Sequence, residues 1–271
     1  MTASVLPPPA TPVTHGNASG VAVALGLARR SLLLIKRVPA ALVPTIFFPL
    51  IIVVAFSGAY GGLTRLPGFP VSNMIDWMLP MAVIQGAAFA GVNVGIIMIR
   101  DFEDGFFDRL LIAPVSRLAL IAGPMLGALG RGLIPTVSVL LVGLIAGASM
   151  PGGVVGVLTL TIASLGAAAM ASAWAIGLAL RIKHMKAAPL MQIGLFVGVF
   201  LSTAQVPIEV MTGWLKGVAR FNPTTYILAL GRQGFVGPIT WADTWPGLLA
   251  IAGSCVVLGA FALRGLRKVV P

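Results

Sequence analysis

Long apolar runs separated by short polar breaks set the pattern of this chain. Runs over about 40–61, 73–99, 118–147, 154–180, 187–205 and 245–263 each approach the roughly 20 residues that a helix needs to cross a hydrocarbon core. Before them, residues 22–37 place apolar positions at helical spacing and gather Arg29, Arg30, Lys36 and Arg37 towards the end, the pattern of a helix lying in the membrane interface. Residues 1–21 are rich in Pro, Thr and Ala and read as a disordered cytoplasmic tail. Pro151-Gly152-Gly153 predicts a tight turn, so the third and fourth runs form a helical hairpin. The fold class is an all-α polytopic membrane protein with six transmembrane helices in one domain, 22–271.

Two stretches depart from the pattern. Residues 100–117 form the one dense block of mixed charge. A helix over 101–113, stepping by roughly 100° per residue, would gather Asp101, Asp104 and Asp108 on one side and Phe102, Phe106, Phe107, Leu110 and Leu111 on the other. Pro114 disfavours helical backbone at the residue before it, and Ser116 is placed to cap the next helix. An acidic side backed by an aromatic side suits a water-facing helix gripped by another protein. Residues 206–245 lack a clean apolar run and break at Pro207, Asn222-Pro223 and Gly237-Pro238. Helical character over 211–217 and 224–235 predicts short helices dipping into or lying along the outer leaflet, where protein or water must cover loose backbone.

Composition agrees with this reading. Of 271 residues, 58% are hydrophobic and 9% charged, with mean hydropathy +1.02, which leaves little for a soluble domain. The net charge of +11 does not imply nucleic acid, because the basic residues border apolar runs, as membrane topology and anionic lipid headgroups require. Placing the N-terminus in the cytoplasm puts Arg29, Arg30, Lys36, Arg37, Arg100, Arg109, Arg117, Arg181, Lys183, Lys186, Arg264, Arg267 and Lys268 inside. Only Arg65, Lys216, Arg220 and Arg232 then fall outside. Both termini are expected in the cytoplasm of a plasma-membrane protein. The single Cys255 lies within a run and reads as a small buried apolar residue, with no disulfide framework.

The chain lacks the residues for its own ATP chemistry: no Lys follows a Gly, so no phosphate-cradling loop is present. No Gly-x-Ser-x-Gly elbow or His-Glu-x-x-His pair occurs, and the two His, His15 and His184, fall in the tail and a basic loop. Catalytic, metal and cofactor residues are therefore expected to be none. No acidic residue sits mid-run; Asp76, Glu209 and Asp243 fall near ends or outside, which weakens an ion-gradient transporter. The polar residues inside the runs are Gln85, Asn93 and Arg131. Arg131 lies fourteen residues past Arg117, roughly 21 Å along a helix, and two readings stand: a pathway contact, with Gln85 or Asn93, or a side chain snorkelling to the interface. The scattered Met residues, Met74 to Met191, fit either ordinary packing or a soft surface for an apolar substrate.

Two motif regions resemble the ABC-2 type exporter permeases, the family of daunorubicin-resistance and polysaccharide-export permeases. One is Glu103-x-Gly105 followed by Arg109-Leu110-Leu111-x-Ala113-Pro114-Val115-Ser116-Arg117. The other runs from Phe200-Leu201-Ser202-Thr203 to Pro207, then Trp214-Leu215, Phe221-Asn222-Pro223-Thr224-Thr225-Tyr226 and Arg232. The resemblance implies an exporter built from two permease copies, identical or different, and separate ATP-binding subunits that carry the ATP and Mg. It makes the segment of Asp101, Phe102, Glu103, Gly105, Phe106, Phe107, Arg109, Leu110, Pro114 and Arg117 a coupling helix seated in the ATP-binding subunit. Pro207, Trp214, Asn222, Pro223, Tyr226 and Arg232 become the outer re-entrant segment. The implied cargo is an amphiphilic drug or lipid; the alternatives are a polysaccharide or glycolipid, an ion-gradient-driven multidrug transporter, and a membrane scaffold. Glu103 falls on the apolar half of the predicted helix, which leaves two readings: favourable placement at a helix N-terminus or a buried contact to an Arg.

Overall fold

The computed structural model describes residues 19–37, 43–112 and 115–269. The tail expected over 1–21 lies almost wholly outside the described residues, as do the start of the first run and Pro114. The described part is helical: α1 (Gly20–Arg37), α2 (Val43–Tyr60), α3 (Met74–Glu103), α4 (Phe106–Ile112), α5 (Arg117–Ile145), α6 (Gly153–Ile182), α7 (Ala188–Phe200), α8 (Gly213–Phe221), α9 (Pro223–Val236) and α10 (Trp241–Val269). Short 3-10 turns at Gly61–Arg65 and Met185–Ala187 complete the path.

The bundle is built around α3. Its 30 residues reach about 45 Å at 1.5 Å per residue, and most of them are buried against α2, α5, α6, α7 and α9. Helices in lipid gain little by hiding apolar surface from one another, so close contact through small residues holds them together. Along α3, Gly86 meets the Thr45 carbonyl and Pro135, Gly91 meets the Ala168 carbonyl, and Gly95 meets Ala175. Gly95→Val is expected to force α3 off α6, since a Cβ there would stand 2.8 Å from both the carbonyl carbon and oxygen of Ala175, backbone atoms with no freedom to swing away. Overpacking of this kind costs about 1–3 kcal/mol. A thermal melt in detergent should register it, whereas Gly253→Val, facing open space, should leave the midpoint in place.

Side-chain caps fix several element ends. Asn73 accepts from the Ile75 amide at 3.1 Å to start α3, and Ser116 accepts from the Ala119 amide at 3.1 Å to start α5, as the sequence predicted. The predicted hairpin joins α5 to α6, and Asp76 ties it to α3 by accepting from the Ser149 amide (2.8 Å) and hydroxyl (2.7 Å). Gly152 donates to the Gly234 carbonyl at 2.9 Å, and the backbones of Gly156 and Gly234 touch, locking α6 to α9.

The expected span count is met in part, and the helix expected over 101–113 needs correction. Five described helices are long and apolar enough to cross a membrane: residues 43–65, α3, α5, α6 and α10. The run expected to span 187–205 forms only the 13-residue α7, about 20 Å long against a core of about 30 Å. Carbonyls at its end and just beyond it are captured from outside: Asn222 Nδ2 donates to Gly198 (2.7 Å) and Leu201 (2.9 Å), and Arg232 donates to Thr203 and Ala204. With those acceptors occupied, the chain turns at 201–206. Of the two short helices that follow, α9 buries Ile227, Leu228, Leu230 and Arg232 in the bundle, while α8 buries only Ala219. Finally, no single helix covers 101–113, because α3 runs on through Glu103 and Gly105 breaks the path at φ +67°, a left-handed conformation that glycine adopts without a Cβ penalty.

Candidate functional site

The break at Gly105 makes an elbow. Asp101, Phe102 and Glu103 form the last turn of α3, the Asp104 amide donates to the Arg100 carbonyl at 2.8 Å, and the Gly105 amide to the Phe102 carbonyl at 3.1 Å. These bonds close the helix end. α4 then leaves in a new direction carrying Phe106, Phe107, Arg109 and Leu110.

The elbow is braced from within its own chain. Arg30 on α1 grips Asp101 through two parallel bonds, Nη1 to Oδ2 at 2.7 Å and Nη2 to Oδ1 at 2.6 Å. That bond to Asp101 holds the Arg30 guanidinium above its ordinary pKa, against the opposing effect of burial. The same guanidinium lies 4.2 Å from the Phe106 ring centroid. Phe107 is only 3% exposed, packed against Phe102 at 4.3 Å between centroids. The aromatic side expected to seat in a partner is thus largely spent inside the chain, because the break turns it back onto α1 and α3. Leu110 is half-buried against the same core. A double-mutant cycle on Arg30→Ala and Asp101→Ala should give a coupling of about 1 kcal/mol, modest because the Arg30 side chain is 38% exposed; thermal melts of the four proteins supply it.

Glu103 meets neither expectation. It sits at a helix C-terminus, where it accepts from the Met185 amide at 3.2 Å and lies 3.8 Å from His184 Nδ1, bridging the elbow to the α6–α7 connection. What the elbow leaves exposed is Glu103, Asp104, Asp108 and Arg109, with Arg117 nearby, and one large apolar side chain, Ile112, at 87%. Leu118, at 64%, stands beyond Ile112 in sequence. Sequence reading missed Ile112, Leu118 and Arg30; the only hint was that Arg30 borders the small positions Ala24, Ala28 and Ser31, which pack on Gly123 and Gly127 of α5.

The intramembrane polar residues do not form one group. Arg131 is 7% exposed and donates from Nε (2.9 Å) and Nη2 to the Ser31 carbonyl, so it neither snorkels nor meets Gln85. Asn93 shares a cavity with it. Gln85 is 1% exposed and its amide makes no hydrogen bond among the described residues.

At the other end of α3, Arg232 is 4% exposed. It stacks 3.6 Å from the Trp77 ring centroid and donates to the carbonyls of Trp77 (3.2 Å), Thr203 (3.1 Å) and Ala204 (3.2 Å). Asn222 caps α9 by accepting from the Thr224 amide at 2.9 Å, with Pro223 at the first helical position. Tyr226 donates to the Arg220 carbonyl at 2.7 Å. Pro207, Tyr226 and Arg232 line an outer cleft of 610 Å³, while Trp214, 72% exposed, lines a neighbouring groove with Asn222 and Pro223. No group of three or more His, Cys, Asp or Glu among the described residues could hold a metal ion.

Long apolar helices packed by glycine, a buried Arg232 cluster at one end and a braced polar elbow at the other are the features of a multi-pass membrane protein. Residues 24–236 match the model of the ABC-2 type transporter family, and the chain belongs to that family as a permease subunit. It is 24% identical over 253 residues to the daunorubicin resistance ABC transporter permease protein DrrB1 of Streptomyces coeruleorubidus, covering 93% of this chain and 88% of that one. It is 27% identical over 258 residues to the transport permease ycf38 of Porphyra purpurea, covering 89% and 87%. The doxorubicin resistance ABC transporter permease protein DrrC of Mycobacterium tuberculosis is 25% identical over 195 residues, covering 70% and 69%. Permeases of this family work with an ABC ATP-binding subunit.

Proposed function

We propose that this chain is the membrane subunit of an ATP-driven exporter of an amphiphilic, drug-like or lipid-like substrate, energised by a separate ATP-binding subunit docked on the α3–α4 elbow. The observation that carries this reading is the combination at α4 of inward bracing and outward exposure. Phe102, Phe106 and Phe107 fix the elbow to α1 and α3, while Ile112 is left open beside Asp108 and Arg109. An apolar anchor ringed by charges of both signs suits a partner groove, the anchor giving affinity and the charges register. ATP and Mg would be held by that partner.

The basic residues clustered at the elbow end support a cytoplasmic placement of the elbow and of both termini. A second permease copy, identical or different, would complete the pathway. Exposed apolar strips such as Val43, Phe47, Ile51 and Val54 on α2 are available to lipid or to that copy. Inverted vesicles carrying the chain and its ATP-binding subunit should accumulate an amphiphilic fluorescent dye on ATP addition. Uptake that persists without ATP or the ATP-binding subunit and follows an imposed proton gradient would overturn the proposal in favour of an ion-coupled transporter.

A further inference from the structure

Arg131 has no counter-charge. None of the seven Asp and Glu of the sequence lies within 4.0 Å of its guanidinium among the described residues, and its acceptor is the Ser31 carbonyl alone. A charge taken out of water is normally paired, and one placed within a membrane faces protein or a polar cavity. Here it faces a cavity of 240 Å³ between α1, α2, α3 and α5, lined also by Arg30, Asn93, Arg100, Asp101 and Asp104.

The charge balance of that cavity decides what it takes. Arg30 and Asp101 neutralise one another through their paired bonds. Arg100 and Asp104 stand at the exposed mouth with no ion pair between them. Arg131 therefore leaves the lining with a net positive charge, and Asn93 adds a neutral amide whose side chain makes no hydrogen bond among the described residues. Thr45 of α2 also lines the cavity, and the remaining walls are apolar, with Leu34 and Ile35 from α1 and Ile96 and Ile97 from α3. A single water needs only about 10–15 Å³ of such space, so 240 Å³ has room for a phosphate with a small polar substituent.

We propose that this cavity seats the phosphodiester headgroup of an anionic phospholipid, with Arg131 as the counter-charge at its base, Arg100 at its mouth and Asn93 as a neutral partner. Apolar walls suit the glycerol side of such a headgroup better than free phosphate, whose hydration they would strip without replacement. Because Asp101 and Asp104 belong both to the cavity and to the elbow, a bound headgroup would stiffen the contact between α1 and the end of α3.

The test is native mass spectrometry of the full chain in detergent, titrated with phosphatidylglycerol or phosphatidylcholine. Phosphatidylglycerol should be retained in preference to phosphatidylcholine, and Arg131→Gln and Arg100→Gln should each reduce that preference about fivefold, as the loss of one basic contact to an anionic lipid predicts. Lys268→Gln, which removes an exposed charge outside the cavity, should leave it unchanged. Equal retention of the two lipids by the wild-type chain would overturn the proposal, as would an equal loss with Lys268→Gln. Displacement of phosphatidylglycerol by millimolar inorganic phosphate would also overturn it, assigning the cavity to the free anion. If Arg131→Gln fails to fold, the exposed Arg100 carries the test alone, and an undiminished preference in Arg100→Gln would sink the idea.

Discussion

A chain carrying Ile112→Asp is expected to lose its ATP-binding subunit in a pull-down from co-expressing membranes while remaining as abundant and as stable to heat as the wild type. Ile112 is 87% exposed, so within the chain an Asp there disturbs nothing packed. Seated in a partner groove, an Ile contributes about 1.5–3 kcal/mol by burial, and replacing it by a carboxylate adds a desolvation penalty, which together predict a loss of affinity of about a hundredfold or more. Phe107→Asp should behave differently. That side chain is 3% exposed and packed against the tilted Phe102 ring, so a charge there is buried without a partner and the chain itself should melt early or fail to accumulate. Full retention of the partner by Ile112→Asp would remove the elbow tip from the docking surface.

The second large effect is expected at the outer end. Arg232→Gln strips the guanidinium from the carbonyls of Trp77, Thr203 and Ala204 and from the face of the Trp77 ring. Each buried acceptor left unmade costs roughly 1–3 kcal/mol, and a glutamine amide can replace at most part of the set. The thermal midpoint in detergent should fall by several degrees or the protein should not accumulate. Arg232→Lys should not restore it, because an ammonium lacks the planar fork that reaches separate carbonyls while stacking on an indole. An unchanged midpoint in both variants would show that the turn at 201–206 holds without this clamp.

The helices around α3 were legible because their signals are local. Apolar runs mark α3, α5, α6 and α10, and the Ser116 cap and the Asn222-Pro223 start each depend on residues within a few positions. What sequence reading missed depends on distant partners. The end of α7 and the turn after it are held by Asn222 and Arg232, which take carbonyls there from 21 to 29 residues away. The fate of the elbow aromatics is set by Arg30, 71 residues upstream of Asp101. Gly105 was ambiguous in a different way: a glycine tolerated inside a helix and a glycine ending one look alike until the backbone shows φ +67°. Arg131 could not be placed because its acceptor is the backbone carbonyl of Ser31, 100 residues away, and a main-chain acceptor leaves no mark in a sequence.

The position of that glycine relative to Asp101 has a mechanical consequence. Asp101, gripped by Arg30, lies on the α3 side of the break, so α1 is riveted to α3, and Phe106 and Phe107 tie α4 to the same pair. α3 continues from there, past Pro80 within the helix, to Asp76 and Trp77, which hold the hairpin and Arg232 at the far end. The molecule is therefore a rocker beam whose pedal is already pressed home: with Phe106 packed on Arg30 of α1 and Phe107 on Phe102 of α3, a push on α4 tilts α1 and α3 together, and the tilt reappears some 40 Å away at the Arg232 clamp.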